Sequence, residues 1–283
     1  MTIPESRIPP MGPRIAFIGG GNMARSLIGA LARGDHAPGS IAVAEPNRDL
    51  RQALARDFGV HTHDNAAAAA DGAGVLVLAV KPQVMKAVCA EIAPAVAHAR
   101  PLVVSIAAGI RIAQLAGWLG TAGLAIVRAM PNTPALIGAG AAGLIGNEQV
   151  DAEQRTQAER ILGAAGSTTW IGREELMDTV TALSGSGPAY FFLLVEALED
   201  AAVAQGMPRE TARALAIQTC LGAGRMLVEE GEPPAVLRER VTSPGGTTAA
   251  ALNALAAGNL RGLVTDAVAA ATARGRELSE QYS

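Results

Sequence analysis

Residues Arg14 to Ala24 read Arg-Ile-Ala-Phe-Ile-Gly-Gly-Gly-Asn-Met-Ala. The apolar run Ile15 to Ile18 reads as a buried strand, and helical spacing begins at Asn22 and continues through Leu31. Between them lies Gly19-x-Gly21-x-x-Ala24. A Gly-rich turn alone says little, but between a strand and a helix it is a dinucleotide-binding fingerprint. Gly19 permits the tight turn, Gly21 lets the backbone approach a pyrophosphate, and the small Ala24 lets the helix pack on the strand. The free N–H groups and partial positive charge of the helix start suit the phosphates.

The rest of the first half repeats the strand–helix alternation. Ile41 to Ala44 reads as a second strand, and a helix over 47–57 ends at Phe58-Gly59. Ala66 to Ala70 suits a short helix. Val75 to Val80 is an unbroken apolar run, as expected of a strand buried on both faces. A helix over about 83–96, a strand at Leu102 to Ile106, a helix over about 110–119 and a strand at Leu124 to Val127 follow. The expected fold is an α/β, Rossmann-like doubly wound parallel sheet. Ala142 to Ile145 and Thr168 to Ile171 can extend it at one edge.

The texture changes near Gly172. Beyond it no strand run stands out, and 191–205, 210–229, 249–257 and 260–280 read as helices punctuated by Gly206, Gly231 and Gly258. A chain of 283 residues accommodates two domains. The expected division is residues 1–171 for the dinucleotide, with Met1 to Pro13 a loose Pro-rich leader, and residues 172–283 as an all-helical domain. The helices are apolar over a wide arc, which points to an oligomer interface.

Composition excludes several classes. The formal net charge is −3 and scattered, so neither a nucleic-acid surface nor a polybasic membrane patch is expected. Aromatics make up only 3%, so the core is built from Ala, Val, Leu and Ile. Cys89 and Cys220, far apart in apolar helical patterns, read as reduced thiols. No apolar run reaches membrane-spanning length, and the expected location is the cytoplasm.

The end of the second strand bears on the choice of cofactor. Glu45 falls where a carboxylate bonds the ribose 2′-OH of NAD, or else it only starts the turn before Pro46. Arg48, with Asn47, suits the 2′-phosphate of NADP instead. The balance goes to NADPH, with NADH also usable. Three more loops follow strands: Ala79-Val80-Lys81-Pro82, Ser105 to Gly109 including Ala107, and Arg128 to Pro134. Lys81 faces a phosphate or ribose, or is a solvated lysine. Asn132 suits the nicotinamide amide or the substrate.

What the helical half lacks is informative. The chain has two lysines, Lys81 and Lys86, and four histidines, His36, His61, His63 and His98; none lies between Gly172 and Ser283. Many two-domain dehydrogenases acting on an alcohol take a Lys or His from the substrate domain as general base. A protonated imine brings its own proton, so the protein needs only to position it and hold its anionic group. Two segments suit that task. Leu183 to Tyr190 is a Ser/Gly turn opening a helix, with Ser186 as N-cap and Pro188 in the first turn. Val241 to Thr248 places Ser243, Gly245, Gly246, Thr247 and Thr248 ahead of a helix, as a carboxylate site or as a plain capped start. No metal cluster is expected.

These segments together resemble the pyrroline-5-carboxylate reductases. The likeness is carried by Phe17 to Ala24, Ala79 to Gln83, Leu183 to Tyr190, Val241 to Thr248 and Arg128 to Pro134, and it runs from about Arg14 to the C-terminus. It implies NAD(P)H-dependent reduction of 1-pyrroline-5-carboxylate to L-proline, with a Rossmann domain and a helical dimerisation domain. It also implies a homodimer, with dimers assembling into larger rings such as a decamer. By motif, Ile18, Gly19, Gly20, Gly21, Asn22, Met23, Asn65, Ala79, Val80, Lys81 and Pro82 touch the cofactor. Ser243, Gly246, Thr247 and Thr248 hold the substrate carboxylate, and Thr248 bonds the ring nitrogen. Glu45 departs from the family's small polar residues. Rival readings are a reductase of another cyclic imine, a β-hydroxyacid dehydrogenase, which the missing lysine opposes, and a non-catalytic nucleotide sensor.

Overall fold

The computed structural model describes residues 12–34 and 36–281; the leader expected over Met1 to Pro13 lies almost wholly outside them. The chain runs β1 (Ile15–Ile18), α1 (Asn22–Arg33), β2 (Ile41–Ala44), α2 (Arg48–Phe58), β3 (His61–His63), α3 (Ala66–Ala70), β4 (Val75–Leu78), α4 (Pro82–Ala99), β5 (Leu102–Ser105) and α5 (Ile112–Leu119). Then come β6 (Ile126–Met130), β7 (Gly140–Gly146), α6 (Ala152–Gly163) and β8 (Gly166–Trp170). The helical part is α7 (Met177–Val180), α8 (Gly187–Ala204), α9 (Arg209–Glu229), α10 (Pro234–Arg240), α11 (Thr247–Ala257) and α12 (Leu260–Gln281).

The eight strands form one sheet in the order β3-β2-β1-β4-β5-β6-β7-β8. Every neighbouring pair is parallel except β6 and β7. That exception follows from chain length. Only residues 131–139 join β6 to β7, too few for a crossover helix, so the chain turns back on itself through a 3-10 segment at Thr133–Ile137. α6 then provides the crossover that makes β8 parallel to β7.

The unbroken apolar strands are explained by burial on both faces. β1, β2, β4 and β5 are buried at every residue. Ile15, Phe17, Ile41, Val43, Val75 and Val77 pack toward Leu27 and Ile28 of α1, Leu54 of α2 and Ile161 of α6. Ala16, Ile18, Ala42, Ala44, Leu76 and Leu78 pack toward Ala66 and Ala69 of α3, Met85 and Ile92 of α4 and Leu115 of α5. The alternation of the two sets along each strand is the pleat.

Two compact units emerge, one up to Gly185 that also takes in the chain from Ala271, and one spanning Ser186–Ala270. The first unit runs past the change of texture at Gly172 because residues 174–184 are tied to the sheet. Buried Arg128 of β6 pairs through Nη1 with Glu174 (3.2 Å) and through Nη2 with Asp178 (3.7 Å), and the Asn132 amide donates to the Ser184 carbonyl (2.9 Å). Within the second unit, Glu199 of α8 accepts from Arg209 (2.8 Å) and Arg213 (2.9 and 3.0 Å) of α9. The Arg213 guanidinium, and then that of Arg209, hold its carboxyl below the usual range. Many large apolar side chains of this unit are exposed, including Phe191, Phe192, Leu193 and Leu194 of α8, Leu215 and Leu221 of α9, and Leu263 and Val264 of α12. Among the described residues no helix is long and apolar enough to cross a membrane.

Candidate functional site

The strand order reverses its progression between β1 and β4, and ligands of open α/β sheets bind at the carboxyl ends flanking that point. The Gly19–Gly21 turn follows β1, and Ala79 to Pro82 follows β4. The two loops touch: the Ala79 N–H donates to the Ile18 carbonyl (2.8 Å), and a Cβ on Gly19 would lie 2.7 Å from the Ala79 carbonyl oxygen. Gly19 also has φ +104°, which side chains rarely adopt. Gly20 is packed too, since its Cβ would meet Leu54 at 2.7 Å and Glu45 at 3.1 Å.

Gly21 is different. Its φ of −66° and ψ of −176° suit any residue, and no atom lies within 4 Å of where its Cβ would be. The protein alone does not require this glycine. It leaves a cradle over the N-terminus of α1, which has no side-chain cap and no acidic residue in its first turn. The N–H groups there have no intrahelical partner. This fits a dinucleotide pyrophosphate, with Ile18, Gly19, Gly20, Gly21, Asn22 and Met23 around it.

The structure gives Glu45 a definite task. It is buried just after β2, and its Oε2 accepts from the Gly20 N–H (3.0 Å) while Oε1 accepts from the Asn47 N–H (2.9 Å). The carboxylate thus joins the fingerprint turn to the start of α2. Asn47 caps α2, accepting from Asp49 (3.0 Å) and Leu50 (3.1 Å), and Arg48 stands exposed beside it. Asn65, after β3, caps α3 by accepting from Ala68 (2.8 Å).

Further along the same edge, exposed Lys81 sits at the N-cap position of α4, with Pro82 as its first residue. Ala107 follows β5 and is buried. Asn132 follows β6, and both ends of its amide are engaged: Nδ2 donates to Ser184, and Oδ1 accepts from the Ala141 N–H (2.8 Å). Sequence reasoning did not single out the partners of Arg128. Glu174 Oε1 bonds both that guanidinium and the Ile112 N–H at the start of α5 (2.8 Å). A cation inside an apolar strand was the available signal, because a buried guanidinium needs a carboxylate.

In the second unit, Val241 to Thr248 leads into α11. The Gly246 N–H donates to the Ser243 carbonyl (3.1 Å), Gly245 has φ +71°, and a Cβ on Gly246 would run into the Ser243 hydroxyl. This tight turn delivers Thr247 and Thr248 as the first two residues of α11, whose N-terminus has no side-chain cap and no acidic residue. Thr248 is half-buried. Backbone N–H groups and the hydroxyls of Ser243, Thr247 and Thr248 therefore gather around an open helix start, which suits a carboxylate.

The capping role expected of Ser186 needs correction. Ser186 occupies the N-cap position of α8, yet its hydroxyl makes no capping bond. The chain arrives through a π-helical turn at Thr181–Gly185, so Ser186 is already in helical conformation (φ −85°, ψ −23°) rather than the extended one from which a cap reaches back.

Comparison with known proteins agrees with these two halves. The family model "Pyrroline-5-carboxylate reductase dimerisation" matches residues 174–278, and "NADP oxidoreductase coenzyme F420-dependent" matches residues 14–109. A pyrroline-5-carboxylate reductase of Pseudomonas aeruginosa is 49% identical over 269 residues, covering 95% of this chain and 98% of that protein. The solved structure of a pyrroline-5-carboxylate reductase from Coxiella burnetii aligns with a TM-score of 0.91 at 44% identity, over 94% of this chain and 98% of the other. That of the Plasmodium falciparum pyrroline carboxylate reductase with NADP bound aligns with a TM-score of 0.82 at 28% identity, over 96% and 100%.

Proposed function

The chain belongs to the pyrroline-5-carboxylate reductase family, and from that premise we propose how its residues carry the NADPH-dependent reduction of 1-pyrroline-5-carboxylate to L-proline. The observation that carries the assignment is a pair of helix starts, those of α1 and α11, each preceded by a glycine turn and left without a side-chain cap. Each offers N–H groups and a positive dipole end to an anion.

At α1 the anion is the cofactor pyrophosphate, lined by Ile18, Gly19 and Gly20, whose two glycine N–H groups are taken by Ala44 and Glu45, and held by the backbone N–H groups from Gly21 to Met23. Ala79 to Pro82 and Ala107 line the cofactor further along the edge. Arg48 and Asn65 serve its adenosine end, and Asn132 its nicotinamide end. At α11 the anion is the substrate carboxylate, taken by Ser243, Gly246, Thr247 and Thr248. The Thr248 hydroxyl bonds the ring nitrogen. When bound, the reduced nicotinamide supplies a hydride to the imine carbon, the C=N π pair moves onto the already protonated nitrogen, and a secondary amine and oxidised cofactor result. No lysine or histidine lies between Gly172 and Ser283, and this reaction asks for none there.

The exposed apolar side chains of α8, α9 and α12 support a homodimer built through the helical unit, with dimers assembling into a decamer. The reaction takes place in the cytoplasm, in keeping with free Cys89 and Cys220. Incubating the purified protein with 1-pyrroline-5-carboxylate and NADPH, then separating the amino acids on a chiral column, tests the reading. L-proline in amounts equal to the NADPH consumed supports it. Absence of proline, or formation from another cyclic imine only, refutes it.

A further inference from the structure

We propose that Glu91 of α4 is a positioning residue for the cofactor: by capping the start of α3 it fixes Asn65, and through Asn65 it sets how tightly the adenosine half is held. The inference rests on the cofactor reading above, which gives Asn65 to that half, and adds a residue that does not itself touch the cofactor.

The place of Asn65 is the first argument. In the sheet, β2 and β3 lie on the side of β1 away from β4, the side along which the adenosine end of a dinucleotide extends. Asn65 stands two residues past the end of β3, at the same edge as the fingerprint turn. The Glu45 N–H donates to the His63 carbonyl (2.9 Å), so the chain leaving β3 runs beside the chain leaving β2.

Hydrogen-bond accounting is the second. With five residues, α3 is too short to stand alone. Its first three N–H groups have no partner within the helix and need acceptors from elsewhere. Asn65 Oδ1 accepts from Ala68 (2.8 Å). Glu91 Oε1 accepts from the other two, Ala66 (2.8 Å) and Ala67 (3.3 Å). The carboxylate also meets the positive end of the helix dipole. The backbone that carries Asn65 therefore depends on a side chain from another helix.

What Asn65 has left to offer is the third. Its Oδ1 is spent on Ala68, and its Nδ2 donates to Asp64 (3.0 Å). An amide nitrogen carries two hydrogens, so one further donor faces outward, suited to a ribose or phosphate oxygen. The direction of that donor follows from the geometry of the α3 start. Glu91 fixes this geometry from a rigid base. Its neighbour Ile92, with Met85 and Cys89, is buried in the same apolar cluster as Ala66 and Ala69 of α3. Because α4 begins at Pro82, Glu91 ties Asn65 to the helix that carries the cofactor loop after β4.

Fluorescence titration with NADPH, and its displacement by adenosine 2′,5′-bisphosphate, test this without any imine. Glu91→Ala is expected to weaken both ligands by one common factor of about three- to tenfold. Glu91→Gln keeps an acceptor oxygen at the same reach and is expected to bind both within about twofold of wild type. In an Asn65→Ala background, Glu91→Ala is expected to weaken NADPH no further. In turnover, Glu91→Ala raises KM for NADPH and leaves kcat and the KM for the imine unchanged. Should Glu91→Ala fail to fold, Glu91→Asp, one methylene short of the α3 start, carries the same comparison. Unchanged binding in the Ala or Asp variant overturns the proposal, as does an NADPH loss without a matching loss for the bisphosphate. A Gln variant as weak as the Ala variant, or a full further loss in the Asn65→Ala background, also overturns it. Failure to form proline by a protein that binds NADPH would refute the reductase reading and leave this comparison intact.

Discussion

Consider Gly21→Val. In the free protein the new Cβ meets nothing, since no atom lies within 4 Å of its position, and the backbone is already extended. Losing a glycine's freedom in the unfolded chain contributes about 0.4–1 kcal/mol of stability, and giving up a favourable N-cap residue costs a similar amount. The two nearly cancel, so Tm should move by less than about 4 °C. Cofactor binding is another matter. Valine fills the cradle and displaces the pyrophosphate from the N–H groups of α1. Hydrogen bonds to a charged partner are worth about 1.5–3 kcal/mol each, so losing two weakens NADPH binding by about 3–6 kcal/mol, or roughly 10²- to 10⁴-fold. Fluorescence titration with NADPH gives the affinity, and thermal melting followed by circular dichroism gives the stability. Gly19→Ala is the contrasting variant. Its Cβ would meet the Ala79 carbonyl at φ +104°, and strain of about 1–3 kcal/mol should lower Tm by about 2–12 °C. If Gly21→Val binds NADPH within threefold of wild type at an unchanged Tm, the cradle is not the pyrophosphate site.

Thr248→Ala should lower kcat/KM by about 10- to 100-fold, the loss of one hydroxyl contact worth about 1–3 kcal/mol, while NADPH affinity stays unchanged; equal turnover would remove Thr248 from the reaction. Glu199→Gln should destabilise the protein at pH 7 in urea unfolding. Because the folded carboxyl lies below its ordinary 4.5, its stabilising effect is complete above that value and disappears as pH falls through the folded value. The gap between wild type and variant should therefore close on acidification, and a gap that stays constant to pH 3 would contradict the ion-pair account. Burial pushes the Cys89 thiol up to about 12, so a thiol reagent at pH 8 should leave Cys89 unmodified until the protein is unfolded. Modification of Cys89 in the native protein, located by peptide mapping, would contradict its burial.

The parts of the fold that were legible in the sequence are those whose burial leaves a pattern. β1, β2, β4 and β5 read as apolar runs because both faces are covered. β3 is His-Thr-His at the sheet edge, held by backbone bonds to β2, and nothing in its composition announces it. The direction of β7 was not legible either, since it follows from the length of the 131–139 connection. α6 does carry a local signal in the sequence, a capping box between Asp151 and Gln154. At the site, the strand–turn–helix context exposed the fingerprint. The task of Glu45 was hidden because its partner Gly20 lies 25 positions away, and that of Asn132 because Ser184 is 52 positions on. β6 begins at Ile126, two residues beyond the expected start at Leu124, whereas α8 begins at Gly187, where an N-cap position at Ser186 and Pro188 in the first turn place it.

The most direct measurement is the initial rate of NADPH oxidation by the purified protein with 1-pyrroline-5-carboxylate, set beside a keto acid and a hydroxy acid with NADP under the same conditions. The helical half supplies no lysine or histidine, so rapid turnover is expected with the imine alone. Turnover of the keto or hydroxy acid at a comparable rate would mean that the protein provides an acid or base this account denies it.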